Sequence, residues 1–209
     1  MKYEINIKKE GKRVKFYISD WHYSHKNILS YDNRPFFTVN EMNRELIERW
    51  NKAVSNDDVV YILGDMFWCP SKEAIPILDQ LNGTKILVKG NHDRVKDPEF
   101  VKRFAKIDEY MEIEDEGRKL VLCHYPIPCF KNHFYGAIHL YGHVHNSFES
   151  KMMEHNRFLM ENLYGQMCRM YNVGAMMPWM NYTPRTLDEI IANYPPSREG
   201  EENGEEADA

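Results

Sequence analysis

The chain has 209 residues, 43% hydrophobic and 28% charged, the composition of an ordinary globular domain long enough to bury a core without staples. Its formal charge of −5 lies in residues 197–209, where six acids face one arginine, so residues 1–196 hold 26 bases and 26 acids and carry no net charge. A neutral body gives no support to a polyanion-binding surface, and no apolar run reaches membrane-spanning length.

In chain order, Tyr3–Lys8 and Val14–Ser19 read as strands around the polar turn Lys9–Arg13, a hairpin or sheet edge. Apolar residues at Met42, Leu46, Ile47 and Trp50 predict an amphipathic helix over Asn40–Val54, with Asn40 and Asn43 as its start signal. Val59–Leu63 is a short apolar run, as expected of a strand buried on both faces. A helix is predicted over Ser71–Leu81, closed by Asn82-Gly83. Ile86–Lys89, Lys119–His124 and Ala137–Tyr141 follow as further buried strands, and Asp93–Lys106, Pro126–Tyr135 and Ser147–Gly165 read as loops. Thr186–Asn193 is a short helix stopped by Pro195-Pro196. Strands alternating with helices predict one α/β domain over 1–196. The acidic stretch 197–209 has no apolar residue larger than alanine and is expected to be disordered.

The chemistry-bearing residues fall at strand ends. Asp20 and His22 follow the first strand of the body, Gly64-Asp65 the second, and Gly90-Asn91-His92-Asp93 the third; His124 and Gly142-His143-Val144-His145 end the next two. In an α/β sheet, ligands bind beyond the carboxyl ends of the strands. Imidazoles and carboxylates without thiolates suit borderline divalent ions such as Mn²⁺, Fe²⁺ or Zn²⁺. A carboxylate between two such groups can bridge a metal pair, which activates water for attack on phosphorus. The cysteines Cys69, Cys123, Cys129 and Cys168 form no C-x-x-C pair and are expected as free thiols in a reducing cytoplasm.

The ordered set Asp20-x-His22, Gly64-Asp65, Gly90-Asn91-His92-Asp93, His124 and Gly142-His143-x-His145 resembles the calcineurin-like metallophosphoesterase superfamily over roughly residues 14–175. Asn172-Val173-Gly174-Ala175 is similar to the Asn-x-Gly-Ser element that usually closes that pattern. The resemblance implies a four-layer α/β/β/α sandwich with mixed sheets and a dinuclear centre of divalent ions, manganese first, with iron, zinc or nickel as alternatives. It implies that Asp20, His22 and His145 hold one ion, that Asn91, His124 and His143 hold the other, and that Asp65 bridges them. It further implies attack on a phosphoester by a hydroxide held between the metals, His92 assisting the leaving group and Asp93 orienting His92. Protein phosphatases of the superfamily continue their Gly-Asp with Asp-Arg-Gly; here Met66-Phe67-Trp68-Cys69-Pro70 follows, which points instead to the small bacterial or phage-type phosphoesterases.

The expected substrate is a small or nucleotide-type phosphodiester or phosphomonoester. A nuclease, or a silent binding scaffold of the same fold, are the alternatives. His25 is placed at the mouth of the site, and Arg34 is either a phosphate clamp or a structural partner of Asp32. His133, His139 and His155 read as ordinary surface or core histidines. Eight methionines between Met152 and Met180 read as core filler, with an adaptable binding surface as the alternative. Trp68, Trp179 and Tyr182 read as core aromatics rather than a base-stacking pocket.

Overall fold

The computed structural model describes residues 13–165 and 167–196. The first half contains β1 (Lys15–Ile18), α1 (Ile28–Tyr31), α2 (Val39–Ala53), β2 (Val59–Ile62), α3 (Ser71–Leu78), β3 (Thr84–Val88) and α4 (Pro98–Val101). The second half contains β4 (Lys106–Asp108), β5 (Tyr110–Asp115), β6 (Arg118–Cys123), β7 (Ile138–Tyr141), α5 (Phe148–Tyr164), β8 (Met170–Asn172), β9 (Arg185–Thr186) and α6 (Leu187–Asn193). The strands form a five-stranded sheet, β4-β3-β2-β1-β9, and a four-stranded sheet, β5-β6-β7-β8. β1 to β4 run parallel with β9 antiparallel at the edge, while β5 pairs antiparallel with β6 and β6, β7 and β8 run parallel. Both sheets are therefore mixed.

Alternation along β6 and β7 explains the layering. Leu120, Leu122, Ile138 and Leu140 enter the large core shared with the first sheet, whereas Val121 and Tyr141 face a smaller core with Met160 of α5. Side chains of successive strand residues point to opposite faces, so an apolar run in these strands serves two interfaces at once. On the other side, α2 buries Met42, Leu46 and Trp50, spaced four apart, against the same large core. The expected α/β/β/α sandwich is the architecture observed.

Several boundaries differ from expectation for local reasons. α2 is capped by Thr38, whose hydroxyl accepts from the Glu41 amide at 3.1 Å while Glu41 reaches back to the Phe37 amide at 2.9 Å, so Asn40 and Asn43 are not its start signal. α3 ends at Leu78, before Asn82-Gly83; Gly83, at φ 82°, instead turns the chain into β3. Residues 148–164, expected within a loop, form the 17-residue α5, capped by Ser147 and ended by Gly165 at φ 62°. The Glu116-Gly117 turn joins β5 to β6, a hairpin the sequence reading did not include. Among the described residues no helix is long and apolar enough to cross a membrane. The strand expected at 3–8 and the acidic stretch 197–209 lie outside the described residues.

The two sheets meet where the chemistry is expected. The Ser19 amide donates to Val173 O at 2.9 Å, and the Ala175 amide donates to Ser19 O at 2.8 Å, so the end of β1 pairs with the segment after β8. This seam fixes the relative placement of Asp20 and the loops after β7 and β8.

Candidate metal centre

Five of the seven expected metal ligands occupy left-handed backbone positions: Asp20 (φ 54°), His22 (50°), Asp65 (54°), His143 (70°) and His145 (47°). Each such residue costs free energy that only surrounding structure can hold in place, and such strain clusters at functional sites. Packing explains how it is held. A Cβ on Gly142 would overlap Ser19 Oγ and Asp20 Oδ2, and one on Gly90 would overlap the Asp65 carboxylate. The glycines let these loops lie directly against the acids.

The structure brings all seven residues together. Asp20, His22 and His145 place ligand atoms within 4.8 Å of one another, and so do Asp20, Asp65 and His124. Asp65 Oδ2 also lies 4.0 Å from His22 Nε2 and 3.9 Å from His92 Nε2. Asn91 Oδ1 sits 3.1 Å from both His124 Nε2 and His143 Nδ1. Asp20, Asp65, His22 and His124 are buried.

The donor set can be tested for a cation from its hydrogen bonds. His124 donates Nδ1–H to Leu63 O at 2.7 Å, which leaves its Nε2 lone pair facing Asn91 Oδ1 and, at 3.5 Å, Asp65 Oδ2. His145 Nδ1 pairs with Asp32 Oδ1 at 2.7 Å, so its Nε2 faces His22 Nε2 at 3.1 Å and Asp20 Oδ1 at 3.5 Å. His22 Nδ1 is buried with no partner among the described residues. Lone pairs converging on lone pairs are settled by a proton or by a cation. The residues fit divalent ions by chemistry and by placement.

The titration behaviour has the same origin. Burial, the neighbouring His145 and the Arg34 charge push His22 down to about 2. Burial works against the charged form of His124, but its hydrogen bond to Asp65 and the Asp20 charge outweigh that and raise it to about 9. Asp65 is held at about 2, against burial, mainly by His124. Burial raises Asp20. The buried acids thus rely on neighbouring positive charge.

His92 lines the cleft above Asp65, and its amide donates to Asp65 Oδ1 at 2.9 Å. Asp93 does not reach the His92 ring. Its carboxylate accepts from the amides of Asp65 (2.9 Å), Gly90 (2.8 Å) and Met66 (3.1 Å), so it ties the two ligand loops together instead. Arg34 is likewise placed differently from a phosphate clamp. Its guanidinium is closed to solvent and donates to Asp20 O and Trp21 O, each at 2.9 Å, and to Asp32 Oδ2 at 2.9 and 3.0 Å. It anchors the backbone of the Asp20 loop and holds Asp32 against His145. His25 does line the cleft; Nδ1 accepts from the Ile28 amide at 2.9 Å.

Asn172 links this centre to the turn after β8: its side-chain amide nitrogen donates to His145 O at 2.9 Å, and its backbone carbonyl accepts from Trp179 Nε1 at 2.7 Å. His139 is buried in the second sheet. Of the methionines between 152 and 180, Met160, Met170, Met176, Met177 and Met180 are buried and Met152 and Met167 are exposed, which makes most of them core filler. The residues that sequence reasoning placed elsewhere are Asp32, seen then only as a partner of Arg34, and Trp68, which stands half-exposed in the cleft rather than in the core.

The chain also matches known proteins in sequence and in fold. The family model described as "Calcineurin-like phosphoesterase superfamily domain" matches residues 16–187. The chain is similar to "Uncharacterized protein MJ1445" of Methanocaldococcus jannaschii, 32% identical over 178 residues that cover 84% of this chain and 88% of that protein. It is similar to "Gene 66 protein" of Mycobacterium phage L5, 35% identical over 81 residues, 37% of this chain and 39% of the relative. The crystal structure of the protein of unknown function AQ665 from Aquifex aeolicus superimposes with a TM-score of 0.65 and 26% identity, over 87% of this chain and 99% of that one.

Proposed function

The chain belongs to the calcineurin-like phosphoesterase superfamily, metal-dependent hydrolases of phosphoric esters, and on that premise we propose that it cleaves a phosphodiester or phosphomonoester by direct addition of water, with no phosphoenzyme intermediate. Asp20, His22 and His145 would hold one divalent ion, Asn91, His124 and His143 a second, with Asp65 between them; manganese is the metal to try first. The observation that carries this reading is the convergence of imidazole and carboxylate lone pairs from five strand ends with strained backbone beneath them. When bound, the ions supply positive charge to the phosphate oxygens and make water acidic enough to attack near neutral pH.

The protein's own groups complete the reaction. Hydrolysis forms one O–P bond and breaks the ester P–O bond, whose electron pair departs on the leaving oxygen. His92, 41% exposed at the cleft and 3.9 Å from Asp65, is placed to give that oxygen a proton. Asp93 keeps the loops of Asp65 and Gly90 in register, and the Asp32–His145 contact orients an imidazole whose other nitrogen faces Asp20.

The nuclease alternative needs a cationic track for the backbone, and among the described residues lining the cleft there is no lysine or arginine. A silent scaffold would have lost ligands, and none is missing. The test is hydrolysis of bis(4-nitrophenyl) phosphate and 4-nitrophenyl phosphate with added Mn²⁺. Turnover should depend on the metal and fall about a thousandfold or more in Asp65→Asn, since water activation depends on the metal centre. Metal-independent turnover, or turnover indifferent to Asp65→Asn, overturns the reading.

A further inference from the structure

Trp68 stands three residues past Asp65, on a backbone that leaves it little freedom. Met66 and Phe67 before it are buried, the Trp68 amide donates to Tyr23 O at 2.8 Å, and Tyr23 bridges Phe67. Trp68 is nevertheless 46% exposed, whereas Trp21 and Trp50 are fully buried and Trp179 is partly covered. The ring is wedged between two imidazoles, with centroids 4.0 Å from His25 and 4.5 Å from His92, and 6.0 Å from His22. His25 is itself fixed by the Ile28 amide, so it buttresses the indole. Tyr31 and Ile28 continue the same wall of a cleft of about 460 Å³.

The charge of the cleft is equally specific. Its titratable lining consists of histidines and Tyr31 with Asp32 and Glu149, and among the described residues includes no lysine or arginine. The proposed metals would neutralise one phosphate, but a further phosphate would meet carboxylates and no cation.

We propose that Trp68, backed by His25 and continued by Tyr31, is the platform that receives the leaving group, and that the substrate presents there a planar, uncharged aromatic ring. The inference rests on the phosphoesterase reading above and names the substrate class for that site: an aryl or nucleoside ester of a single phosphate, not a polyphosphate. The ring lies beside His92, so the group that stacks on Trp68 is the group that His92 protonates as it leaves. Stacking on an aromatic side chain tolerates any planar ring and is worth roughly tenfold or more in affinity.

The experiment compares dissociation constants by calorimetry on the Mn²⁺-loaded full chain, for phenylphosphonate against methylphosphonate and for adenosine 5′-monophosphate against ribose 5-phosphate. In the wild type the ring-bearing member of at least one pair should bind about tenfold tighter; the pair that shows it identifies an aryl or a nucleoside source. Trp68→Ala should reduce that preference to about twofold or less, and Trp68→Phe should keep most of it. If Trp68→Ala fails to fold, quenching of tryptophan fluorescence by 4-nitrophenylphosphonate, strong in the wild type and largely lost in Trp68→Phe, replaces it. A preference absent from the wild type, retained in Trp68→Ala, or exceeded by tripolyphosphate overturns the proposal. Its failure is distinct from failure of the phosphoesterase reading, which would show as absence of metal-dependent hydrolysis in the wild type.

Discussion

The two ends of the paired sheets carry cavities of opposite character. Beyond the carboxyl end of β1 lies the cleft of about 460 Å³ with its converging imidazoles and acids. At the other end, around Val14–Phe16 and the β5–β6 turn, lies a larger cavity of about 810 Å³, lined by Arg13, Lys15, Arg49, Lys52, Arg118 and Arg185 along with four acids. There several of the bases are held in ion pairs: Arg118 meets Asp188 at 2.6 Å, Lys15 meets Asp115 at 3.3 Å and Arg49 meets Glu45 at 3.3 Å. Left-handed backbone at that end falls in the Glu116-Gly117 turn and at Asn181, whereas in the cleft it falls on the chemistry-bearing residues themselves. Size therefore does not single out the candidate site. The convergence of imidazole and carboxylate ligand atoms is what marks the cleft as the candidate site.

The difference should show first in the glycines. Gly142→Ala would drive a methyl group into Ser19 Oγ and the Asp20 carboxylate. A destabilisation of about 3 kcal/mol is expected in denaturant melts, because overpacking in a rigid site cannot relax. The displaced Asp20 should lower metal-dependent hydrolysis about a hundredfold or more, since it would hold an ion. Gly117→Ala, at the opposite end, meets nothing within 4 Å and carries only its φ of 78°, so about 1 kcal/mol and unchanged turnover are expected. Equal effects at the two glycines would erase the contrast.

How much of this was legible in the sequence depends on which signals are local. The strand-end residues were legible because β1, β2, β3, β6 and β7 are short apolar runs whose ends are marked by glycine, Asp or His. α5 was not. Its apolar residues Phe148, Met152, Met153, Phe158, Leu159, Met160 and Leu163 spread around the helix, and only part of that set, Met160 foremost, packs inward, so no single stripe announces it. The roles of Asp32 and Arg34 were hidden for a different reason. Their contacts to His145, Asp20 O and Trp21 O cross from the segment after α1 to loops far along the chain, and short-range spacing does not encode such pairing. Trp68 was assigned to the core because most tryptophans bury; only its immediate neighbours Met66 and Phe67 do so.

Asp32 sharpens the contrast at intermediate cost. In the cleft a carboxylate is used to aim an imidazole, 2.7 Å from His145 Nδ1, and a guanidinium holds that carboxylate. Asp32→Asn preserves shape but removes the charge, and Mn²⁺ affinity by calorimetry should fall 10- to 100-fold, roughly the effect of losing a partner that orients a metal-binding histidine. Unchanged affinity would mean that the Asp32–Arg34 pair only braces the fold.

The smallest effect is expected where the ion pairs are most numerous. Arg118 and Asp188 touch at 2.6 Å, yet the acid is 69% exposed, so solvent competes for both partners and screens their attraction. A double-mutant cycle of Arg118→Ala and Asp188→Ala should give a coupling of about 1 kcal/mol or less. Hydrolysis by Arg118→Ala should stay within about twofold of wild type, because removing one member of an exposed pair leaves no buried charge uncompensated. A tenfold loss of turnover in this variant would show that the larger cavity communicates with the cleft. The two ends would then be parts of one device rather than a working site and a braced base.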